Sequence, residues 1–148
     1  EISSAITSKV KGILDYLNLI RDDEYISSMW SNVNKLGQQH PQHIHSNSLF
    51  SGVLYLQAPE GSGRTYFVDP RPGAKVLSMD YNSPIAEWMT SNNWGHDAEV
   101  GTMLLFPSWL PHGVDYSDYN LEQERVSLSF NIMIRSEIQG ETRKLSLK

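Results

Sequence analysis

The spacing of apolar residues predicts one helix at the start of the chain. Between Ile2 and Ile20, apolar side chains recur at intervals of three and four residues, which is the period of one helical face. Ser3 or Ser4 is placed to cap the first turn, and Gly12 weakens the helix only locally. Because an amphipathic helix buries one side, we expect this one to pack against a larger body of the protein.

After residue 20, short apolar runs separated by Gly, Pro and Asn predict strands and turns. The segment Ser27 to Val33 fits a strand or a turn, and the polar stretch that follows it predicts no regular element. Strands are predicted over 49–57, 64–68, 75–81, 102–106 and 125–135, a short helix over 83–90 and a loop over 91–101. One helix followed by short strands is typical of a mainly β sandwich or barrel, and the scattered Gly and Pro fit a jelly roll, which can enclose a small-molecule cavity.

The last predicted strand alternates between apolar and polar positions. Its even positions are all apolar, namely Val126, Leu128, Phe130, Ile132 and Ile134. Its odd positions are mostly polar, and in a strand the two sets point to opposite faces. The odd face either meets water, as in many antiparallel sheets, or lines a cavity. In a cavity, Arg125 and Ser127 would offer a guanidinium fork and a hydroxyl to a carboxylate. The strand alone leaves both interpretations open.

Composition narrows the classes of function. A length of 148 residues predicts a single domain over 1–148, long enough to bury a core. A net charge of −5 without a basic run argues against a nucleic-acid partner, and no apolar stretch is long enough for a membrane span. The absence of Cys excludes disulfides and thiolate metal ligands and favours a cytoplasmic protein.

Three of the five histidines fall in the six residues "HPQHIH". His43 and His45 are two apart, so in an extended segment both imidazoles lie on one face and could bind one ion. A third ligand must come from elsewhere, and His112 in "FPSWLPHGV" is the candidate. Imidazole suits Fe, Zn, Cu and Ni, although a polar surface turn would also explain the cluster. His40 and His96 are expected to be polar loop residues.

The order of these features resembles the iron(II)/2-oxoglutarate-dependent oxygenases, in particular a small branch found in marine bacteria and phages. The stretches that carry the resemblance are "HIHSNSLFSGVLYLQAPEGSG", "FVDPR", "GTMLLFPSWLPHGV" and "ERVSLSFNIMI", which span most of residues 40–135. The resemblance implies a double-stranded β-helix, which is a jelly roll, with a supporting N-terminal helix. It also implies an oxidoreductase, a dioxygenase that couples decarboxylation of 2-oxoglutarate to oxidation of a C–H bond.

The resemblance also implies roles for individual residues. His43 and His112 would bind Fe(II), Arg125 and Ser127 would bind the far carboxylate of 2-oxoglutarate, and Tyr55 would contact this co-substrate.

Most of the family has a carboxylate as the second metal ligand, where this chain has His45. Three arrangements follow from that departure. The site could use three histidines, two histidines with water or halide, or a carboxylate from elsewhere in the chain. The residue pattern favours His45 as a true ligand.

Two other classes of function stay open at this level. One is a three-histidine metal enzyme of jelly-roll fold that does not use 2-oxoglutarate, and the other is a non-catalytic ligand-binding β-sandwich. The substrate, a small molecule or a peptide, and the oligomeric state, monomer or homodimer, are not encoded in any recognisable pattern. The aromatic residues of the predicted loops either shape a substrate entrance or pack as core and rim, namely Trp94, Trp109, Tyr116 and Tyr119.

Overall fold

A computed structural model describes residues 1–35, 37–71, 93–117, 123–139 and 144–147. Within these residues, helix α1 (Ile2–Tyr16) precedes nine strands. They are β1 (Asp23–Asn34), β2 (His40–His43), β3 (Phe50–Gln57), β4 (Thr65–Val68), β5 (Asn93–His96), β6 (Met103–Pro107), β7 (His112–Val114), β8 (Arg125–Gln139) and β9 (Lys144–Leu147). The predicted strand over 75–81 and the predicted helix over 83–90 lie outside the described residues.

The strands form two antiparallel sheets within the described residues. One sheet has the order β1-β8-β3-β6, with β9 also paired to β8, and the other has the order β2-β7-β4-β5. Strand β8 therefore runs in the middle of the first sheet, between β1 and β3. Two facing sheets with a supporting helix confirm the predicted double-stranded β-helix.

The core of the protein lies between α1 and the even face of β8. Ile6, Val10 and Leu14 of the helix are buried against Phe130 and Ile132 of the strand. This is the apolar stripe of an amphipathic helix on the apolar face of an alternating strand, where each large buried side chain contributes about 1.5–3 kcal/mol. The odd face of β8 consequently points away from the helix and toward the second sheet.

Helix α1 is shorter than the apolar pattern predicted. It ends at Tyr16, and Asn18 adopts a φ of 53°, a left-handed conformation that does not continue a right-handed helix. Ile20 is consequently 90% exposed rather than buried. The N-cap position is Glu1, without a side-chain capping bond, so the predicted cap at Ser3 or Ser4 is wrong.

The end of α1 is tied to β1 by a buried arginine. The Nε of Arg21 lies 2.6 Å from Glu24 Oε2, its Nη2 lies 2.7 Å from Asp15 Oδ1, and its Nη1 donates to the carbonyl of Leu19. Charge-assisted bonds of this kind are stronger than neutral ones, and they set the position of the helix on the sheet.

Two strands form where the sequence predicted irregular structure, and β7 and β9 form in segments for which no strand was predicted. His40–His43 lies in a stretch predicted to be irregular, and Asn93–His96 lies in the predicted loop over 91–101. Both predictions are wrong because these strands are held by partners distant in sequence, β7 for β2 and β4 for β5. Neither has the apolar alternation that marks a strand locally.

Strands β1, β3, β4, β6 and β8 follow the predicted runs closely. Residues 27–33 belong to the long strand β1, which decides that segment in favour of a strand. Strand β8 continues to Gln139, beyond the predicted end at Arg135. No helix in the described part of the chain combines the length and the hydropathy needed to cross a membrane.

Candidate metal centre

Three histidines converge between the two sheets. His43 ends β2, His45 follows two residues later, and His112 opens β7 directly opposite His43 in the antiparallel ladder. The Nε2 atoms of His43 and His45 are 3.0 Å apart, and one ring nitrogen from each of the three residues lies within 4.8 Å of the others. The sequence pattern predicted that these three residues form one site, and the fold brings their ring nitrogens close together.

Two of the imidazoles are held by main-chain carbonyls. The Nδ1 of His43 lies 2.9 Å from the carbonyl oxygen of Pro41, and the Nδ1 of His112 lies 2.8 Å from that of Leu110. A carbonyl oxygen only accepts hydrogen bonds, so each Nδ1 carries the proton and each Nε2 keeps its lone pair. Histidines that bind metals are oriented in this way.

The third imidazole is held by side chains. The Nδ1 of His45 lies 2.6 Å from Asn131 Oδ1 and 2.9 Å from Ser51 Oγ. The amide oxygen accepts, so the Nε2 of His45 also keeps its lone pair.

The spacing of the donors fits one divalent ion. Two nitrogens that each lie about 2.1 Å from a metal and meet there at about a right angle are about 3.0 Å apart. The Nε2 atoms of His43 and His45 show this separation. Two nitrogen lone pairs that face each other at this distance repel. A cation bound between them would attract both lone pairs and so offset that repulsion. The donor set is all imidazole, which suits Fe, Zn, Cu or Ni.

His112 is the most buried of the three histidines. It is 5% exposed and packs against the rings of Phe106 and Phe67, with ring centroids 4.6 Å and 6.3 Å away. Burial lowers its pKa to about 4, which outweighs the raising effect of the bond to Leu110. His112 is therefore neutral at pH 7, the form that a metal requires.

His40 also reaches the site, contrary to its prediction as a polar loop residue. It opens β2, lines the cavity and packs its ring edge-on against His43, with centroids 4.6 Å apart. Burial is the main cause that lowers its pKa, and the nearby cationic forms of His43 and His45 and the charge of Arg125 act in the same direction. His96 lies in β5, where its Nδ1 is bonded to the carbonyl of its neighbour.

Arg125 is buried at the same cavity. It is 2% exposed, and its Nη1 donates to Asn34 Oδ1 at 3.2 Å and to Ser127 Oγ at 3.3 Å. Its guanidinium carbon lies 5.2 Å from the centre of the Tyr55 ring. The odd face of β8 thus lines a cavity here and does not meet water, which decides between the two interpretations of that face. A buried guanidinium group of this kind can bind a carboxylate through paired hydrogen bonds.

Tyr55 supports this part of the cavity from β3. Its side chain is fully buried, and its hydroxyl donates to Thr65 Oγ1 at 2.8 Å. Burial raises the pKa of the phenol, so the hydroxyl keeps its proton. Thr65 itself lines the cavity.

The cavity floor consists of cross-strand rows. On β8, Arg125 pairs with Asn34 of β1, while Ser127 pairs with Asn32 of β1 and Tyr55 of β3. Paired residues lie on the same face of a sheet, so every row contributes to the floor. The opposite wall comes from β2, β4 and β7. The described residues that line the cavity are Trp30, Asn32, Asn34, His40, His43, His45, Gly52, Val53, Thr65, Phe106, His112, Gly113, Val114, Arg125, Ser127 and Ser129.

Several residues at the site were not singled out from the sequence. Trp30 lies 5.7 Å from the His45 ring, and Asn131 and Ser51 bond to that ring. Asn131 shares its parity on β8 with Arg125, and that parity was the signal available. Trp30 carried no comparable signal, because the extent of β1 was not evident.

The loop aromatics lie elsewhere. Trp94 and Trp109 line a separate surface groove beside Phe67, and Tyr116 is 62% exposed. Tyr119 lies outside the described residues.

A family model described as "Putative 2OG-Fe(II) oxygenase" matches residues 28–131, well over half of the chain. The chain belongs to this 2OG-Fe(II) oxygenase family. The match contains the histidine cluster and Arg125, the two parts of the cavity that the structure brings together. None of the curated protein sequences matches the chain.

Solved structures share the fold of this chain at low sequence identity. A 2OG-Fe(II) oxygenase family oxidoreductase from Burkholderia pseudomallei has a TM-score of 0.59 at 16% identity, with coverage of 82% of this chain and 50% of its own. A prolyl-4-hydroxylase from Pseudomonas putida gives 0.59 at 18%, with 91% and 65% covered. HygX from Streptomyces hygroscopicus, solved with iron, gives 0.53 at 11%, with 88% and 67% covered. The chain thus spans about half to two thirds of the length of these proteins.

Proposed function

We propose that this 2OG-Fe(II) oxygenase is a dioxygenase that couples decarboxylation of 2-oxoglutarate to oxidation of a C–H bond in a small-molecule or peptide substrate. In this proposal His43, His45 and His112 bind Fe(II). The observation that carries it is the convergence of three imidazole nitrogens on the cavity in which Arg125 is buried. A metal receptor and a carboxylate receptor in one cavity match the two ends of a 2-oxo dicarboxylic acid.

Bound Fe(II) would supply the centre at which the co-substrate and dioxygen react. The chain's own part is to present three neutral donors and to keep water away from them. The Nδ1 bonds of His43 and His112 direct both Nε2 atoms into the cavity. Phe106 and Val53 form an apolar part of the lining beside them. A drier site strengthens the electrostatic interactions within it.

Arg125 would bind the far carboxylate of 2-oxoglutarate. Its charge is buried, and the hydroxyl of Ser127 lies close enough to donate a second hydrogen bond to the same carboxylate. Tyr55 would contribute through its ring, which lies beside the guanidinium group, and through the Thr65 hydroxyl that it orients. Three imidazoles add no charge to the metal, so the dianionic co-substrate would offset two of the three positive charges that the ion and Arg125 bring to the cavity.

The fold is compatible with this co-substrate. HygX, which has a similar fold at 11% identity, was also solved with nickel and 2-oxoglutarate bound. Nickel is among the ions that suit an imidazole donor set.

The test is an anaerobic titration of the metal-free protein with Fe(II), followed by 2-oxoglutarate. The proposal expects one bound Fe(II) per chain, and then a visible charge-transfer absorption band when the 2-oxo acid chelates the ion. Admission of O₂ should release succinate. The absence of the band at saturating Fe(II) and 2-oxoglutarate would contradict the proposal.

A second candidate is a three-histidine metal dioxygenase that does not use 2-oxoglutarate. The observation that favours it is His45, which stands where most of the family has a carboxylate and directs its Nε2 to the shared point. Oxygen uptake without succinate release would support this candidate. The buried Arg125 favours the first proposal, because an enzyme without an anionic co-substrate has no evident use for that charge in the cavity.

A further inference from the structure

The imidazole of His45 is held differently from those of its two partners. His43 and His112 bond to main-chain carbonyls close to them in sequence. His45 instead bonds to Asn131, which comes from the middle of β8 on the opposite sheet. Ser51 of β3 also lies 2.9 Å from the same Nδ1, so the orientation of His45 depends on these two side chains and on the packing of the two sheets.

The amide of Asn131 turns its oxygen toward the His45 ring. Its Nδ2 donates to Ser28 Oγ at 2.9 Å, which directs its Oδ1 toward the His45 ring. That oxygen lies 2.6 Å from His45 Nδ1. With the amide in this orientation, an Nδ1 without a proton would bring two lone pairs face to face at this distance, so the contact favours the proton on Nδ1.

A row of buried hydroxyls fixes the amide. Ser51 is fully buried, and its Oγ lies 2.8 Å from Asn131 Oδ1 and 2.8 Å from Ser108 Oγ. Ser48 donates to the same Ser108 hydroxyl at 2.9 Å. Buried polar groups that are satisfied by one another have few alternative arrangements, so the network holds Asn131 in one orientation.

We infer that Asn131 is a positioning residue that fixes the Nδ1–H tautomer of His45 and thereby presents Nε2 to the cavity. The use of that nitrogen as a metal ligand rests on the proposed function, whereas the tautomer does not. Asn131 acts through a neutral acceptor, so it selects the tautomer without adding a negative charge beside the imidazole. This matters at a centre whose three donors are all neutral and whose co-substrate is an anion.

The tautomer is measured without any metal. Long-range ¹H–¹⁵N correlation NMR of histidine-labelled, metal-free protein at about pH 8 distinguishes Nδ1–H from Nε2–H imidazoles. Wild-type His45 should be in the Nδ1–H form. In Asn131→Ala a substantial Nε2–H population should appear at His45, while His43 and His112 keep the wild-type form. An Nε2–H form in the wild type, or an unchanged His45 in Asn131→Ala, would overturn the inference.

Asn32→Ala is the matched control. Asn32 is also an amide on the cavity floor that donates to a serine, Ser129, at 2.8 Å, but its described bond does not involve a histidine. Its removal should leave the His45 signal as in the wild type. Equal changes in Asn32→Ala and Asn131→Ala would mean that loss of any floor amide disturbs the site, and would overturn a specific role for Asn131.

Metal affinity is the second measurement. Anaerobic Fe(II) titration against a competing chelator should show binding about 10–100-fold weaker in Asn131→Ala and unchanged in Asn32→Ala. Asn131→Asp keeps the acceptor, so it should keep both the tautomer and the affinity. It also serves as the test if Asn131→Ala does not fold, because loss of the Nδ1–H form in Asn131→Asp would contradict the inference.

The two proposals fail separately. If wild-type protein binds no Fe(II), the proposed function is wrong, and the NMR result alone decides the role of Asn131. If Fe(II) binds and Asn131→Ala changes neither the tautomer nor the affinity, the inference is wrong and the proposed function stands.

Discussion

The guanidinium carbon of Arg125 lies 5.2 Å from the centre of the Tyr55 ring, and both side chains are almost completely buried. An arginine over an aromatic face is attracted by the ring quadrupole, by about 2 kcal/mol where water is excluded. This contact and the bonds to Asn34 and Ser127 hold the cation in place before any ligand arrives. A receptor that is ordered in advance loses less entropy on binding.

The first prediction concerns this cation. Arg125→Ala should weaken 2-oxoglutarate binding to the metal-loaded protein by about 1.5–3 kcal/mol, the range for a hydrogen bond to a charged group. Arg125→Lys should also weaken it, because an ammonium group lacks the planar fork. Anaerobic calorimetry measures both. Arg135→Ala is the control, since Arg135 lies on the same strand but is exposed and paired with Asp23. Equal affinities in wild type and Arg125→Ala would rule out the anchor.

The second prediction concerns the Tyr55–Thr65 bond. Tyr55→Phe keeps the ring beside Arg125 but leaves the buried Thr65 hydroxyl without its donor. We expect a loss of about 1–3 kcal/mol in the free energy of unfolding. Thr65→Val should cost a similar amount, and the double variant should cost less than the sum, because both changes remove one interaction. Urea denaturation of the four proteins gives this coupling, and additive losses would argue against the bond.

The third prediction concerns His45. His45→Ala should lose Fe(II) affinity, whereas His45→Asp should retain the metal and shift the energy of the charge-transfer band, because a carboxylate cancels part of the charge on the ion. His96→Ala is the control for general loss of a histidine. Fe(II) binding as tight as wild type in His45→Ala, with succinate still released, would show that His45 is not a ligand.

The fourth prediction is a pH dependence of the metal-free protein. The pKa of His112 is about 4 in the folded protein, because the ring is buried, and about 6.5 in an unfolded chain. Between these values the unfolded chain binds the proton and the folded protein does not, so stability should fall as pH decreases from about 6.5 to about 4. The lowered pKa of His40 acts in the same direction. Urea denaturation across this range should show a smaller slope for His112→Gln than for wild type.

Sequence patterns predicted those elements whose packing partners impose a local alternation or periodicity of apolar residues. The alternation from Val126 to Ile134 identified β8 and its apolar face because one side of that strand packs on a helix. Strands β2 and β5 carry no such alternation and exist through hydrogen bonds with β7 and β4. The end of α1 depended on Asn18 and on the buried Arg21, whose partners come from both sides of the turn.

The sequence predicted the three histidines of the candidate metal centre but not the residues that orient them. The H-x-H spacing predicted that His43 and His45 share a face, because parity in an extended segment is a local property. His112, just beyond a predicted strand, was the candidate for the third donor. The hydrogen-bond partners that orient these imidazoles were harder to predict from the sequence. Asn131 contacts His45 only because two sheets pack face to face, and His40 reaches the cavity only because β2 pairs with β7. Parity on β8 placed Asn131 on the cavity face, but it did not predict that the Asn131 side chain would contact the imidazole of His45.

His43 and His112 occupy opposite positions on β2 and β7, strands that are joined by a short and irregular ladder. An ion bound by both would cross-link points far apart in sequence, and would close into a loop the whole stretch that contains β3, β4, β5 and β6. Such a closure removes entropy from the unfolded chain, as a disulfide does, in a protein that has no cysteine. The metal would then act as a removable staple, and its loss should open β2 and β7 to amide hydrogen exchange before the helix-backed sheet.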